Sequence, residues 1–220
     1  MFCQKNILQA APGIIFYACC ISSAFAVDEP NGNYSSLILS YRSSTFAKPV
    51  CVGTECHSGL SGPAVAFSQQ IIPNLAIGLS GSDLQSNGTS STLRATGSSV
   101  FLQVIAGIGR FVDVGAAVAA LHSGTRVCLL NPSLCTSTDD TGRDLGIFGL
   151  LFLNNEKSTS ISLSYDSIAY QNLADQSIAG LSLVTVLAEH HRLAVSIDQT
   201  QDSSGKAISS GLGFGYSYLF

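Results

Sequence analysis

The chain has no tryptophan, a single methionine and little charge, with Asp, Glu, Lys and Arg together making up 11% of its 220 residues. Ten basic against fourteen acidic residues leave a net charge of −4, so no basic excess is present to attract nucleic acid. Beyond the N-terminus, no segment reads as a membrane-spanning helix. The longest apolar stretch, residues 100–121, carries Arg110 and Asp113 near its middle. Each charge would cost about 2.5–3.5 kcal/mol at the centre of a spanning helix. Gly107, Gly109 and Gly115 weaken a helix there too. Two strands joined by a tight turn at about 109–112 explain the same residues without placing either charge in lipid. An apolar content of 46% is ordinary, but its combination with so little charge and 21 glycines is not that of a typical soluble domain.

The N-terminus reads as an export signal. Lys5 supplies one positive charge, Ile7 to Ile21 is mostly apolar and uncharged, and Ala24-Phe25-Ala26 offers a small-x-small cleavage site. A membrane anchor fits less well, because the apolar run is short and broken by Gln9, Pro12 and Gly13. A lipoprotein signal cleaved before Cys19 or Cys20 is a further alternative. Residues 1–26 are therefore expected to be removed, leaving 27–220 as one domain. Of seven cysteines, Cys3, Cys19 and Cys20 leave with the signal. Cys51 with Cys56 and Cys128 with Cys135 then read as two local disulfides in an exported chain. Metal ligation by Cys51, Cys56 and His57 is the alternative, disfavoured in an oxidising compartment.

The mature chain alternates with period two. Tyr34–Arg42 places Leu37, Leu39 and Tyr41 on one face, and further strands follow at about 63–70, around Leu75–Leu79, and on both sides of the 109–112 turn. Later strands lie near 143–153, around Ile161–Tyr165, Leu181–Leu187 and Leu193–Ile197, and at the C-terminus. Short turns at Ile72-Pro73-Asn74, 109–112, Asn154–Lys157 and Glu189-His190-His191 alternate with long polar connections near 43–62, 83–97, 122–142, 167–178 and 199–206. Such alternation is that of an all-β, antiparallel transmembrane β-barrel with short periplasmic turns and long surface loops. Ten strands are counted, with eight the alternative.

The last ten residues carry the most specific signal. Leu212, Phe214, Tyr216, Tyr218 and Phe220 fall on alternate positions against Gly211, Gly213, Gly215 and Ser217. One face is large and aromatic, the other nearly bare, and neither is charged. This segment resembles the C-terminal strand of bacterial outer-membrane β-barrel proteins. The resemblance implies residence among the lipids of a Gram-negative outer membrane, and insertion by the outer-membrane assembly machinery reading those five alternate residues.

Inward positions by this alternation are mostly Ala, Gly and Ser, with Arg42, Asp113, Asp144, Asp166, Arg192 and Asp198 as candidate lumen charges. Small lumen residues suggest a narrow wet passage, although Phe148, Leu150 and Phe152 argue for a bulky ridge inside. Catalytic chemistry is poorly served. His122 and Ser123 are adjacent and so face opposite sides of a strand. Neither the His-x-Ser spacing of barrel lipid A deacylases nor the Asp-His pair of omptin-like proteases is present. Asp139 and Asp140 read as a solvated loop tip or weak cation site, and His190 and His191 as a polar turn. No cofactor and no enzymatic activity are expected. The expected function is a small passive pore or structural outer-membrane protein. The alternative is an adhesin-like surface protein that binds a host or surface ligand through its disulfide-closed loops; a lipid- or peptide-hydrolysing barrel comes third.

Overall fold

The structure, a computed structural model, describes residues 30–130, 133–188 and 190–220. The expected signal, residues 1–26, lies outside the described residues, as do Asn131, Pro132 and Glu189. Ten antiparallel strands form, and no helix, among the described residues: β1 (Ser36–Val52), β2 (Glu55–Ile72), β3 (Leu75–Asn87), β4 (Ser91–Ile108), β5 (Val112–Leu130), β6 (Ser133–Phe152), β7 (Thr159–Tyr170), β8 (Gln176–Ala188), β9 (His191–Asp202) and β10 (Ala207–Leu219). Each pairs with the next, and β10 closes on β1 from Ser36↔Leu219 to Phe46↔Ser209. Closure removes the sheet edges that lipid could not satisfy.

The two faces are sorted by residue size. Leu37 lies level with Tyr218 on one side and Phe67 on the other, giving a continuous outward apolar wall. Ser40, Ala64 and Gly215 share the inward face of the same strands. Large apolar side chains such as Leu39, Leu79 and Leu163 are exposed, the reverse of a soluble sheet. The segment 100–121 is the expected hairpin, turning at Gly109 with φ of +63°.

The surface connections differ from expectation. Residues expected as loops at 43–62, 83–97 and 122–142 are largely ladder: β5 and β6 stay paired to Leu130↔Ser133, and β1 and β2 to Val52↔Glu55. A strand needs only about 9–11 residues to cross a bilayer, yet β1, β2, β4, β5 and β6 have 17 to 20. Strands β7 to β10 stop at 12 or 13 residues. One side of the barrel, formed by β1, β2 and β4 to β6, therefore rises above the membrane as a sheet, with the end of the 13-residue β3 fastened to it through Ser86 and His57.

Candidate functional site: the barrel lumen and the segment across its mouth

The raised sheet is held by polar contacts between hairpin tips. Cys51 and Cys56 are direct cross-strand partners joined by a disulfide, as are Cys128 and Cys135. His57 is 3% exposed and bonds Ser86 and Ser91 hydroxyls through Nδ1 and Nε2, both at 2.9 Å. Its ring joins hairpins, and its cysteine neighbours are spent on disulfides. Next to it, the Glu55 carboxylate accepts from the N–H groups of Thr89, Ser90 and Ser91 at 2.7, 3.0 and 2.7 Å. The Ser91 hydroxyl and these N–H donors hold the Glu55 carboxyl well below the ordinary glutamate range. Leu60 and Leu93 are buried, giving this extension a small core of its own.

Asp139 and Asp140 belong to β6, not to a loop tip. Asp140 accepts from the N–H groups of Asn172 and Leu173 at 3.0 and 2.7 Å, fastening the β7–β8 connection to β6. Burial pushes its carboxyl up, but the Asn172, Leu173 and Thr141 N–H groups outweigh that and hold it low. On the outer wall, the Arg94 guanidinium pairs with Asp83 and lowers its carboxyl likewise.

Inside the barrel, the outer half of the lumen is roomy. A cavity of about 570 Å³ is lined by Ser40, Arg42, Ser82, Ser123 and Asp144 among others. It adjoins a second of about 310 Å³ that shares Arg42 and Asp144 and adds Ser164, Asp166 and Asp198. Arg42 and Asp198 form an ion pair at 3.1 Å, leaving Asp144 and Asp166 as the unpaired acids of this chamber.

Toward the periplasm the lumen fills. Phe101 and Phe148 point inward, and the strands make room for their rings with glycine. A Cβ on Gly78 would lie 2.2 Å from the Phe101 ring, and one on Gly115 would lie 2.3 Å from that of Phe148. The face carrying Phe148, Leu150 and Phe152 is thus the inward one. Tyr34 packs beside Phe148 with ring centroids 6.4 Å apart. Arg192 lines a smaller space of about 310 Å³ in this aromatic layer.

Beneath the layer, residues 31–35 cross the periplasmic mouth. Asp113, 0% exposed, is the anchor. Its carboxylate accepts from Asn31 N and Nδ2 at 2.7 and 2.9 Å, from Gly32 N at 2.8 Å and from the Tyr34 hydroxyl at 2.9 Å. Asn31 also donates to the Gly109 and Val112 carbonyls and accepts from Lys157 Nζ at 2.9 Å. The Ser68 hydroxyl donates to the Tyr34 carbonyl. The segment is thereby tied to β2, to the β4–β5 hairpin and to the β6–β7 turn. The alternation predicts a first strand from Tyr34, whereas Tyr34 and Ser35 belong to this crossing segment and β1 begins at Ser36; no periodic signal marks the partnership with Asp113.

The remaining candidates, Ser123 apart, fall on the outer wall. His122 faces outward in mid-strand, level with Ser98 and Thr141, and its Nε2 lies 3.8 Å from Asp139 Oδ1. Ser123 faces the lumen, and no hydrogen bond joins His122 to a hydroxyl among the described residues. His190 and His191 pack at a tilt against Tyr218 and Tyr216 at the periplasmic rim. Leu212, Phe214, Tyr216, Tyr218 and Phe220 all face outward, and Phe220 stacks on Phe67 with centroids 5.7 Å apart. No group of three metal-ligating side chains occurs among the described residues.

No family model matches the chain, and no curated protein does. Among solved structures it is similar to the translocator domain of autotransporter NalP from Neisseria meningitidis. That likeness has a TM-score of 0.51 and 13% identity, over 96% of this chain and 97% of that one. It is also similar to an outer-membrane channel from Pseudomonas putida, with a TM-score of 0.50 and 11% identity, over 87% and 97% of the two chains. The likeness is one of fold. The chain has the fold of the outer-membrane β-barrels, closed by ten antiparallel strands.

Proposed function

We propose that the protein is a surface-presenting barrel rather than an open pore: the membrane part anchors it, and the raised β1–β6 sheet is the part that meets a partner. The observation that supports this most is the closure of the periplasmic mouth by residues 31–35 on the buried Asp113, beneath the Phe101–Phe148 layer. A barrel built to pass solutes gains nothing from a buried charge spent on holding a segment across its exit. The disulfide-closed, internally packed tips fit a role that needs a fixed outer surface. A second reading, a narrow passive pore, draws on the serine-lined outer chamber with its unpaired Asp144 and Asp166.

Single-channel conductance of the refolded protein in a planar bilayer separates the two. The surface-presenting reading expects a folded, heat-modifiable barrel that gives no discrete steps, and expects steps once residues 31–34 are deleted and Phe101 and Phe148 are both replaced by alanine. Reproducible steps from the intact protein, lost on heat denaturation, would hand the function to the pore reading.

A further inference from the structure

A groove of about 650 Å³ lies outside the lumen, on the lipid-facing wall of β3 to β7. Its geometry follows from the register. Val100, Ala120, Arg143 and Ala169 are successive cross-strand partners and form one outward rung. The next rung toward the membrane centre is Leu102, Val118, Leu145 and Ser167. The next rung away from it carries Ser98, His122 and Thr141. Arg143 is therefore the first charge on this wall above the apolar band. An alanine stands on either side of it, so the groove runs along both flanks of its side chain. Arg143 is exposed and has no hydrogen-bond or ion-pair partner among the described residues. His122 lines the same groove, and Asp139 lies beyond it, 3.8 Å from the His122 ring.

An arginine at this depth sits where lipid headgroups lie, and its planar guanidinium matches a phosphate bidentately. The alanine gaps and the valine and leucine below them offer an apolar bed for an acyl chain. We propose that this groove is a specific site for an outer-leaflet lipid bearing a phosphate monoester, with the phosphate on Arg143, a hydrogen bond from His122, and an acyl chain along Ala120 and Val118. The charge complements the phosphate and the small residues admit the chain; a zwitterionic headgroup offers only a singly charged phosphodiester offset by its own cation, and so a weaker match to the guanidinium.

Native mass spectrometry of the full barrel tests this, after refolding into phosphatidylcholine nanodiscs doped with a minor fraction of phosphatidic acid. The wild type is expected to retain one phosphatidic acid molecule in preference to phosphatidylcholine. Arg143→Ala should lower that preference about fivefold, the worth of one basic side chain near an anionic lipid surface. The double substitution A120L/A169L fills the groove and keeps the charge, and should lower it as well. Arg126→Ala removes an exposed arginine farther from the membrane and should leave it unchanged. Equal retention by wild type and Arg143→Ala overturns the proposal. So does an equal loss in Arg126→Ala, which means unspecific attraction, and so does displacement by inorganic phosphate alone. Should the alanine-to-leucine variant fail to fold, the exposed Arg143 still carries the test.

Discussion

A carboxylate without exposed surface needs its charge answered by donors, and Asp113 has four of them, all from residues 31–34. Hydrogen bonds to a charged group are each worth about 1.5–3 kcal/mol, so their loss falls on the segment they hold rather than on the barrel ladder. In Asp113→Ala, amide hydrogen exchange at Asn31 and Gly32 should speed up by roughly ten- to a hundredfold while the β4–β5 amides keep their protection. Unchanged exchange at those two residues would show that the aromatic layer holds the segment without the carboxylate. Glu55 plays the corresponding part on the outer side, where its depressed folded-state pKa makes the contact pH-dependent. The unfolded or undocked state takes up its proton first, so the contact is fully present above the ordinary glutamate value of about 4.3 and weakens as pH falls below it. Protection of the Thr89 to Ser91 amides, corrected for intrinsic exchange, should fall below that pH in wild type. In Glu55→Gln it should be low and flat.

At the scale of elements, each disulfide joins residues that already face each other across a hairpin, with Cα atoms 3.9 and 4.1 Å apart. The bridges therefore clip the tips and do not decide which strands pair. Reduction should leave heat-modifiability and the membrane ladder intact and raise proteolysis only at the two tips, beyond about Arg126 and Ser137 in β5 and β6 and beyond about Thr45 and Gly59 in β1 and β2. Loss of the barrel on reduction would mean that the raised sheet supports the closure below it. The tips are also where the chain was hardest to read. Within the membrane, one face meets lipid and the other a crowded lumen, so alternation stands out in Ile161–Tyr165 and in Leu212–Phe220. Above it, few apolar side chains beyond Leu60 and Leu93 are buried, and the apolar alternation disappears, although Thr92, Thr125, Val127 and Thr136 are good strand formers. Ser- and Thr-rich residues there look like loop and fold as ladder. The crossing segment at the mouth was illegible for another reason: Asn31, Gly32 and Tyr34 gain meaning only when closure brings three hairpins around them.

For the molecule as a whole, the decisive property is that the same side-chain exposure has opposite consequences at different heights. Leu163 on β7 and Leu134 near the β5–β6 tip are 62% and 61% exposed, nearly the same fraction. Leu163 stands in the apolar band, level with Leu181 on β8 and Gly149 on β6. Leu134 lies at the end of the ladder, one rung from the Cys128–Cys135 bridge and far above that band. In a soluble protein an arginine at either position would be almost neutral. In a bilayer, Leu163→Arg should cost about 2–4 kcal/mol in the urea-driven unfolding of the barrel from lipid vesicles, and Leu134→Arg close to nothing. The contrast tests more than the presence of a membrane, because it places the bilayer along the strands. A cost at Leu134 comparable to that at Leu163 would put the raised sheet inside the lipid, removing both the partner-facing surface and the headgroup depth assigned to Arg143. A cost at Leu163 alone places the apolar band at a level three outward rungs below the first charge on the outer wall, as the register of β6 and β7 requires.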